Sequence, residues 1–176
     1  MASPGYMPRL SRELLTIPAS HQNKRQGLIE VTVAINSEEL GKRIAEVFTG
    51  SVVSAEKGTL VVNSEHLLQV ATYLKETPGL DFDYLTVVTA ADYMEYFEMV
   101  YRLVSLKENH SLILKTRLYS RDNPTVASVT PLWRAAYYQE REIFDLFGIK
   151  FEGHPDLRRL LLWEGFNGHP LRRDYL

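Results

Sequence analysis

Apolar side chains set the first elements. Along residues 28–35, Ile29, Val31, Val33 and Ile35 alternate with Glu30, Thr32 and Ala34, the two-residue period of a strand. Leu40, Ile44, Val47 and Phe48 then recur at helical spacing, with Asn36 placed as N-cap, Glu39 three residues on, and Gly50 beyond the end. Residues 52–53 and 59–62 read as a short hairpin turning at Lys57-Gly58, and residues 64–76 as a second helix stopped by Pro78-Gly79. Three strands follow, over residues 82–89, 97–106 and 111–119. In the last of them Leu112, Leu114, Thr116 and Leu118 alternate with Ile113, Lys115, Arg117 and Tyr119, and Lys107 to His110 supply the preceding polar turn. After the loop of residues 121–125 comes the strongest helix signal, with Thr130 as cap, Pro131 at the first position and Gly148 at the end.

The order helix, two strands, helix, three strands, helix predicts a two-layer α+β fold, its helices packed on a mixed, largely antiparallel sheet, followed by an extended C-terminal arm. Three segments are expected: an irregular N-terminal extension over residues 1–26, with a turn of helix near residues 11–15; the α+β domain over 27–150; and an interaction arm over 151–176.

At about 100° per residue, Trp133, Ala136, Tyr137, Ile143, Phe144 and Phe147 share one face of the last helix, with Glu140 in their midst. A carboxylate there is costly unless paired, so an arginine of the arm is its expected partner. Arg134, Arg141 and Asp145 line a flank, and Arg141 and Asp145 stand four residues apart, where side chains meet. Glu142 points to the opposite side. An acid/base pair made of Glu140 and Glu142 is disfavoured, because residues two apart on a helix diverge and do not flank one bond.

The arm states one phrase twice: Gly153-His154-Pro155-Asp156-Leu157-Arg158-Arg159 and Gly168-His169-Pro170-Leu171-Arg172-Arg173-Asp174, then Tyr175. Glycine permits a positive-φ turn and proline bars the preceding residue from the helical region, so each histidine opens an extended stretch that carries two guanidinium forks. Metal ligation by His154 and His169 is disfavoured, since neither has a histidine partner at helical spacing. From Glu140 to the end there are six basic and seven acidic residues, which argues against a phosphate or nucleic-acid track and for ion pairs within the fold or across a protein interface. Trp163 and Tyr175 among these arginines match the make-up of interface hot spots.

Composition removes other classes. The 176 residues contain no cysteine, which excludes disulfides, thiolate nucleophiles and cysteine-ligated iron–sulfur clusters within them. Net charge is −2 and no apolar run approaches a membrane span, so a soluble, cytoplasmic chain is expected.

The charged run Glu140, Arg141, Glu142, Asp145 with Phe147-Gly148, followed by both Gly-His-Pro phrases, closely resembles the C-subunit of bacterial NADH:quinone oxidoreductase, which belongs to the peripheral arm of respiratory complex I. A fainter likeness extends back through Ser128-Val129-Thr130 and Pro131-Leu132-Trp133 to Thr89-Ala90-Ala91-Asp92-Tyr93 and Phe82-Asp83-Tyr84-Leu85. Tyr137-Tyr138 stand where members of that family often carry tryptophan. The resemblance implies a structural subunit with no catalytic, cofactor or metal residues of its own. FMN and iron–sulfur clusters would lie in partner subunits, and the chain would pack against those bearing the quinone site and the terminal cluster. It also implies a peripheral position at the cytoplasmic face of the bacterial plasma membrane, held there only through the complex. Two rivals are an equivalent subunit of an energy-converting hydrogenase or other-donor complex, and a stand-alone protein with an arginine clamp for an acidic ligand.

Overall fold

The computed structural model describes residues 32–175. The N-terminal extension and most of the first expected strand lie outside them. That strand is represented by β1 (Val33–Ala34), after which Asn36 caps α1 (Ser37–Val47) by accepting the Glu39 N–H at 3.3 Å. The buried stripe of α1 is Ser37, Leu40, Gly41 and Ile44, continued by Phe48, whereas Val47, expected on that stripe, faces out. Small residues at 37 and 41 let the helix close on the sheet: a methyl group on Gly41 would stand 2.9 Å from that of Ala55.

The hairpin forms as β2 (Val52–Glu56) and β3 (Thr59–Val62), with positive φ at both Lys57 and Gly58, the pair of angles a two-residue turn of this twist demands. A 3-10 turn at Ser64–His66 leads into α2 (Leu67–Glu76), and the long antiparallel strands β4 (Tyr84–Asp92), β5 (Phe97–Ser105) and β6 (His110–Leu118) follow. Sheet order is β2-β3-β6-β5-β4. Both β1 and β3 pair with β6 in parallel, so the sheet is mixed, mostly antiparallel, as expected. Leu112, Leu114, Thr116 and Leu118 all face the core, beside Phe97, Met99, Tyr101 and Leu103 of β5 and Leu67, Val70, Ala71 and Leu74 of α2. Antiparallel sheets tolerate one wet face. Glu98, Lys115 and Arg117 occupy that face, and Glu98 bonds Lys115 at 2.7 Å.

The last helix begins later than expected. α3 covers Ala136–Phe147, while residues 130–135 form turns in which Val129 O accepts the amides of Leu132 and Trp133. Thr130 is therefore no cap: its hydroxyl is engaged with Glu140, and the Trp133 indole N–H is anchored on Phe82 O at 3.0 Å. Two short strands not anticipated, β7 (Thr125–Ala127) and β8 (Lys150–Glu152), pair in parallel with α3 as the crossover between them. This βαβ unit brings residues 128–130 alongside the middle of α3.

Candidate functional site: the clasp between the last helix and the C-terminal segment

Glu140 is wholly buried, as expected from its place on the apolar stripe. Its partner is a correction. No arginine reaches it among the described residues. Instead Ser128 Oγ stands 2.6 Å from Oε2, Thr130 Oγ1 3.1 Å from the same oxygen, and the Val129 N–H donates to Oε1 at 2.8 Å. Burial raises its pKa, and the surrounding donors offset that only in part.

Asp145 is the second correction. It does not meet Arg141; it lies fully buried beneath the arm, where Oδ2 accepts three successive backbone amides, from Leu160 (3.0 Å), Leu161 (2.7 Å) and Leu162 (2.9 Å), and Oδ1 accepts Arg159 Nη1 at 2.9 Å. Desolvation alone would raise its pKa, but the three amides and the guanidinium outweigh it and hold the carboxyl below the usual range. Successive N–H groups converging on one oxygen form an anion nest, here filled by the chain's own side chain.

The second Gly-His-Pro phrase finishes α3. The last carbonyls of a helix lack intrahelical partners, and α3 has no basic residue in its final turn. Gly148 N–H donates to Phe144 O, His169 Nδ1 to Asp145 O at 2.9 Å, Leu171 N–H to Leu146 O at 3.0 Å and Arg172 Nε to Phe147 O. Gly148 has φ 71°, and a methyl group there would fall 2.5 Å from the His169 ring, so both conformation and space require glycine.

The first phrase serves the start of the same helix. His154 Nε2 donates to Tyr137 O at 2.9 Å while its Nδ1 accepts the Asp156 N–H at 3.0 Å, so both ring nitrogens are engaged. Asp156 accepts from the Tyr137 hydroxyl and from Arg158, and Arg141, largely buried, reaches the carbonyls of Arg158 and Arg159. The two phrases thus use their arginines oppositely: Arg159 and Arg172 turn in, and Arg158 and Arg173 turn out.

The end of the arm is latched to the β4–β5 hairpin. Asp92 takes both Arg121 nitrogens, at 2.7 and 3.0 Å, and the Arg173 backbone N–H at 3.0 Å, and Arg121 also pairs with Asp174 at 2.9 Å. The Arg121 hydrogen bonds first, then the amides of Arg173 and Met94, hold the Asp92 carboxyl far below the usual range against desolvation. Arg121 and Arg172 both lie over the Phe97 ring.

The structure gathers Glu140, Arg141, Asp145, His154, Asp156, Arg158, Arg159, His169, Arg172 and Asp174 around α3 and its neighbours. Glu142 stands apart on the exposed side, and Pro155 borders a surface concavity with Thr130, Arg134, Tyr137 and Tyr138. Pro170 is half-buried, and Tyr175 stacks on Phe166 and donates to Asn167 O at 3.3 Å. Sequence reasoning named Asp92 and Ser128 only within the family likeness, and gave no role to them, to Arg121 or to the amides of residues 160–162. The sequence hint for the first two was a buried-strand aspartate and a lone loop arginine. Among the described residues no three His, Asp or Glu side chains are grouped to hold a metal, and no helix is long and apolar enough to cross a membrane.

The site is thus an α+β domain whose last helix is clasped at both ends by its own C-terminal segment, with apolar side chains of that segment left facing outward. Residues 60–176 match the family described as respiratory-chain NADH dehydrogenase, 30 Kd subunit. The C-subunit of NADH-quinone oxidoreductase from Moorella thermoacetica is 49% identical over 118 residues, which cover 66% of this chain and 78% of that protein. A C-subunit of the same enzyme from Rhizobium meliloti is 44% identical over 117 residues, and the match spans only 63% of that relative's length. Among solved structures, the Nqo5 trypsin-resistant fragment (1-134) is similar with a TM-score of 0.53 and 32% identity, covering 68% of this chain and 98% of the fragment. A chain of an archaeal membrane-bound sulfane sulfur reductase is similar with a TM-score of 0.64 and 25% identity, covering 78% and 84%. The chain belongs to the 30 kDa subunit family of respiratory-chain NADH dehydrogenase, the C-subunits of complex I.

Proposed function

We propose that this chain is a structural subunit in the peripheral arm of a proton-translocating NADH:quinone oxidoreductase. It binds no cofactor and transfers no electron itself. FMN and iron–sulfur clusters sit in partner subunits, and the chain docks on those that bear the quinone site and the terminal cluster, at the cytoplasmic face of the bacterial plasma membrane. The observation that carries this reading is the outward face of the clasped segment. Leu161, Trp163 and Leu171 remain 61%, 70% and 51% exposed although the backbone beneath them is tied to Asp145 and to the end of α3. Large apolar side chains held ready in place make strong interface anchors, because little ordering is left to do on binding.

The relatives from Moorella and Rhizobium support the NADH and quinone assignment. The arginine-clamp alternative loses ground, since Arg159 and Arg172 are engaged internally. A second reading, an equivalent subunit in a complex fed by another donor, draws on the likeness to the sulfane sulfur reductase chain.

The test is Trp163→Ala. Trp163 is mostly exposed and meets the Phe166 ring edge-on at a centroid distance of 4.7 Å, so the isolated protein keeps its stability while co-purification with partner subunits in mild detergent falls by roughly 30-fold or more, about 2 kcal/mol or above for a hot-spot residue. Unchanged assembly refutes the docking face. NADH-driven quinone reduction by the purified wild-type complex separates the two donors.

A further inference from the structure

Glu140 belongs to a closed triangle of oxygens. Its Oε2 lies 2.6 Å from Ser128 Oγ and 3.1 Å from Thr130 Oγ1, and the two hydroxyl oxygens are 2.9 Å apart. The Thr130 N–H already donates to Ser128 Oγ at 3.1 Å, and the Val129 N–H to Oε1, so neither backbone group supplies a hydrogen to an edge of the triangle. Three edges at hydrogen-bond distance require three hydrogens. Two hydroxyls bring two. With an ionised carboxylate one edge is an oxygen–oxygen contact with nothing between.

A proton on Oε2 completes the ring and also accounts for its unequal edges. The carboxylic O–H, the strongest donor present, makes the shortest edge, to Ser128. Ser128 donates to Thr130 at an ordinary distance, and Thr130 donates back to the carboxylic hydroxyl oxygen, a weak acceptor, across the longest edge. We propose that Glu140 is a proton-binding site, occupied at neutral pH and exchanging with solvent by way of Thr130, a residue that lines the concavity together with Arg134, Tyr137, Tyr138 and Pro155. Binding takes one proton from water to Oε2, turns the two hydroxyls, and breaks no covalent bond.

The charged and titratable neighbours fit a neutral carboxyl. From β5, Tyr101 is fully buried with no hydrogen-bond partner for its hydroxyl, and the burial together with a Glu140 charge would oppose its ionisation. From the arm, His154 has both ring nitrogens engaged, Nε2 with Tyr137 O and Nδ1 with the Asp156 N–H. From α2, Lys75 is bonded to Leu132 O and lies over the Trp133 ring. On α3 itself Tyr137 is bonded to Asp156, Arg141 to the carbonyls of Arg158 and Arg159, and Asp145 to the arm. β4 contributes Asp92, already held by Arg121. Burial of Glu140, which raises its pKa, acts in the same direction.

Full-length protein labelled with carbon-13 at glutamate carboxyls tests this. The Glu140 signal, identified by its loss in Glu140→Gln or by its displacement in Thr130→Val if the first variant does not fold, is expected at the protonated position at pH 7 while exposed glutamates are ionised. A signal that titrates with the exposed glutamates overturns the proposal. Urea unfolding gives a second reading. The folded state would keep a proton that the unfolded chain releases above about pH 4.3. The wild-type unfolding constant should therefore rise against that of Glu140→Gln by up to about tenfold per pH unit, until the folded carboxyl ionises. A ratio flat from pH 5 to 8 also overturns it.

Discussion

Replacing Asp145 by alanine should release the C-terminal segment while leaving the sheet folded. The substitution removes one carboxylate that accepts three backbone amides at 2.7–3.0 Å and one guanidinium at 2.9 Å. Hydrogen bonds to a charged group contribute about 1.5–3 kcal/mol each, so the four have a nominal worth of roughly 6–12 kcal/mol. That full loss will not be seen in global stability. Once the arm detaches, the amides and Arg159 return to water, so the penalty saturates at the free energy that docks residues 153–175. The core strands, buried against α1 and α2, are untouched. Hydrogen exchange followed by mass spectrometry should show residues 160–162 and 169–173 losing nearly all protection, while residues 97–105 keep theirs, the pattern of a sub-global opening. Limited proteolysis should cut the variant near residue 163 and spare the wild-type chain. If the amides of 160–162 stay as protected in Asp145→Ala as in wild type, the carboxylate is not what fastens the arm and the nest argument fails.

Gly148→Ala tests the other anchor: φ of 71° costs an L-residue roughly 1–2 kcal/mol, and the methyl group also strikes the His169 ring, so exchange should quicken at residues 169–172 with the sheet unaffected. Lowering the pH tests the latch. Because the folded Asp92 carboxyl is depressed, its stabilisation is complete above the unfolded value of about 3.9 and is lost as pH falls below it. The amide of Arg173, monitored by NMR, should therefore lose its protection in acid, and Asp92→Asn should abolish that step while weakening protection at neutral pH; an acid step that survives in Asp92→Asn rules the latch out.

Alternation told which face of a strand is buried, and Leu112, Leu114, Thr116 and Leu118 obey it. It carries no information about neighbours, so the parallel pairing of β1 and β3 on one edge of β6 was not legible. Turn chemistry was legible at Lys57-Gly58 and Gly148 because the required backbone angles select residue types. The start of α3 was misread because Thr130-Pro131 is a valid cap signal taken out of use by Glu140, whose need for donors outweighs one capping bond. Glu140 was placed correctly on its face, but hydroxyls and an amide satisfy it without a cation. Asp145 failed for a related reason. Its donors are mainly backbone amides, which every residue but proline possesses and no letter marks, and at residues 160–162 the N–H groups, not the leucine side chains, are the working part.

Arg159 and His169 both end on Asp145, one on its carboxylate and the other on its carbonyl, and Arg159 also bonds Gly168 O at 3.2 Å. Residues 160–168 are therefore a loop closed at its neck on a single helical residue, with Trp163 packed on Phe166 at the tip. In polymer terms the ring is already shut before any partner arrives, so lengthening it adds only a logarithmic entropy cost, about 0.6 kcal/mol per doubling. A short insertion beside Gly165 would then leave the neck intact and move only the tip, altering how far the tryptophan reaches from the helix without disturbing the fold that carries it.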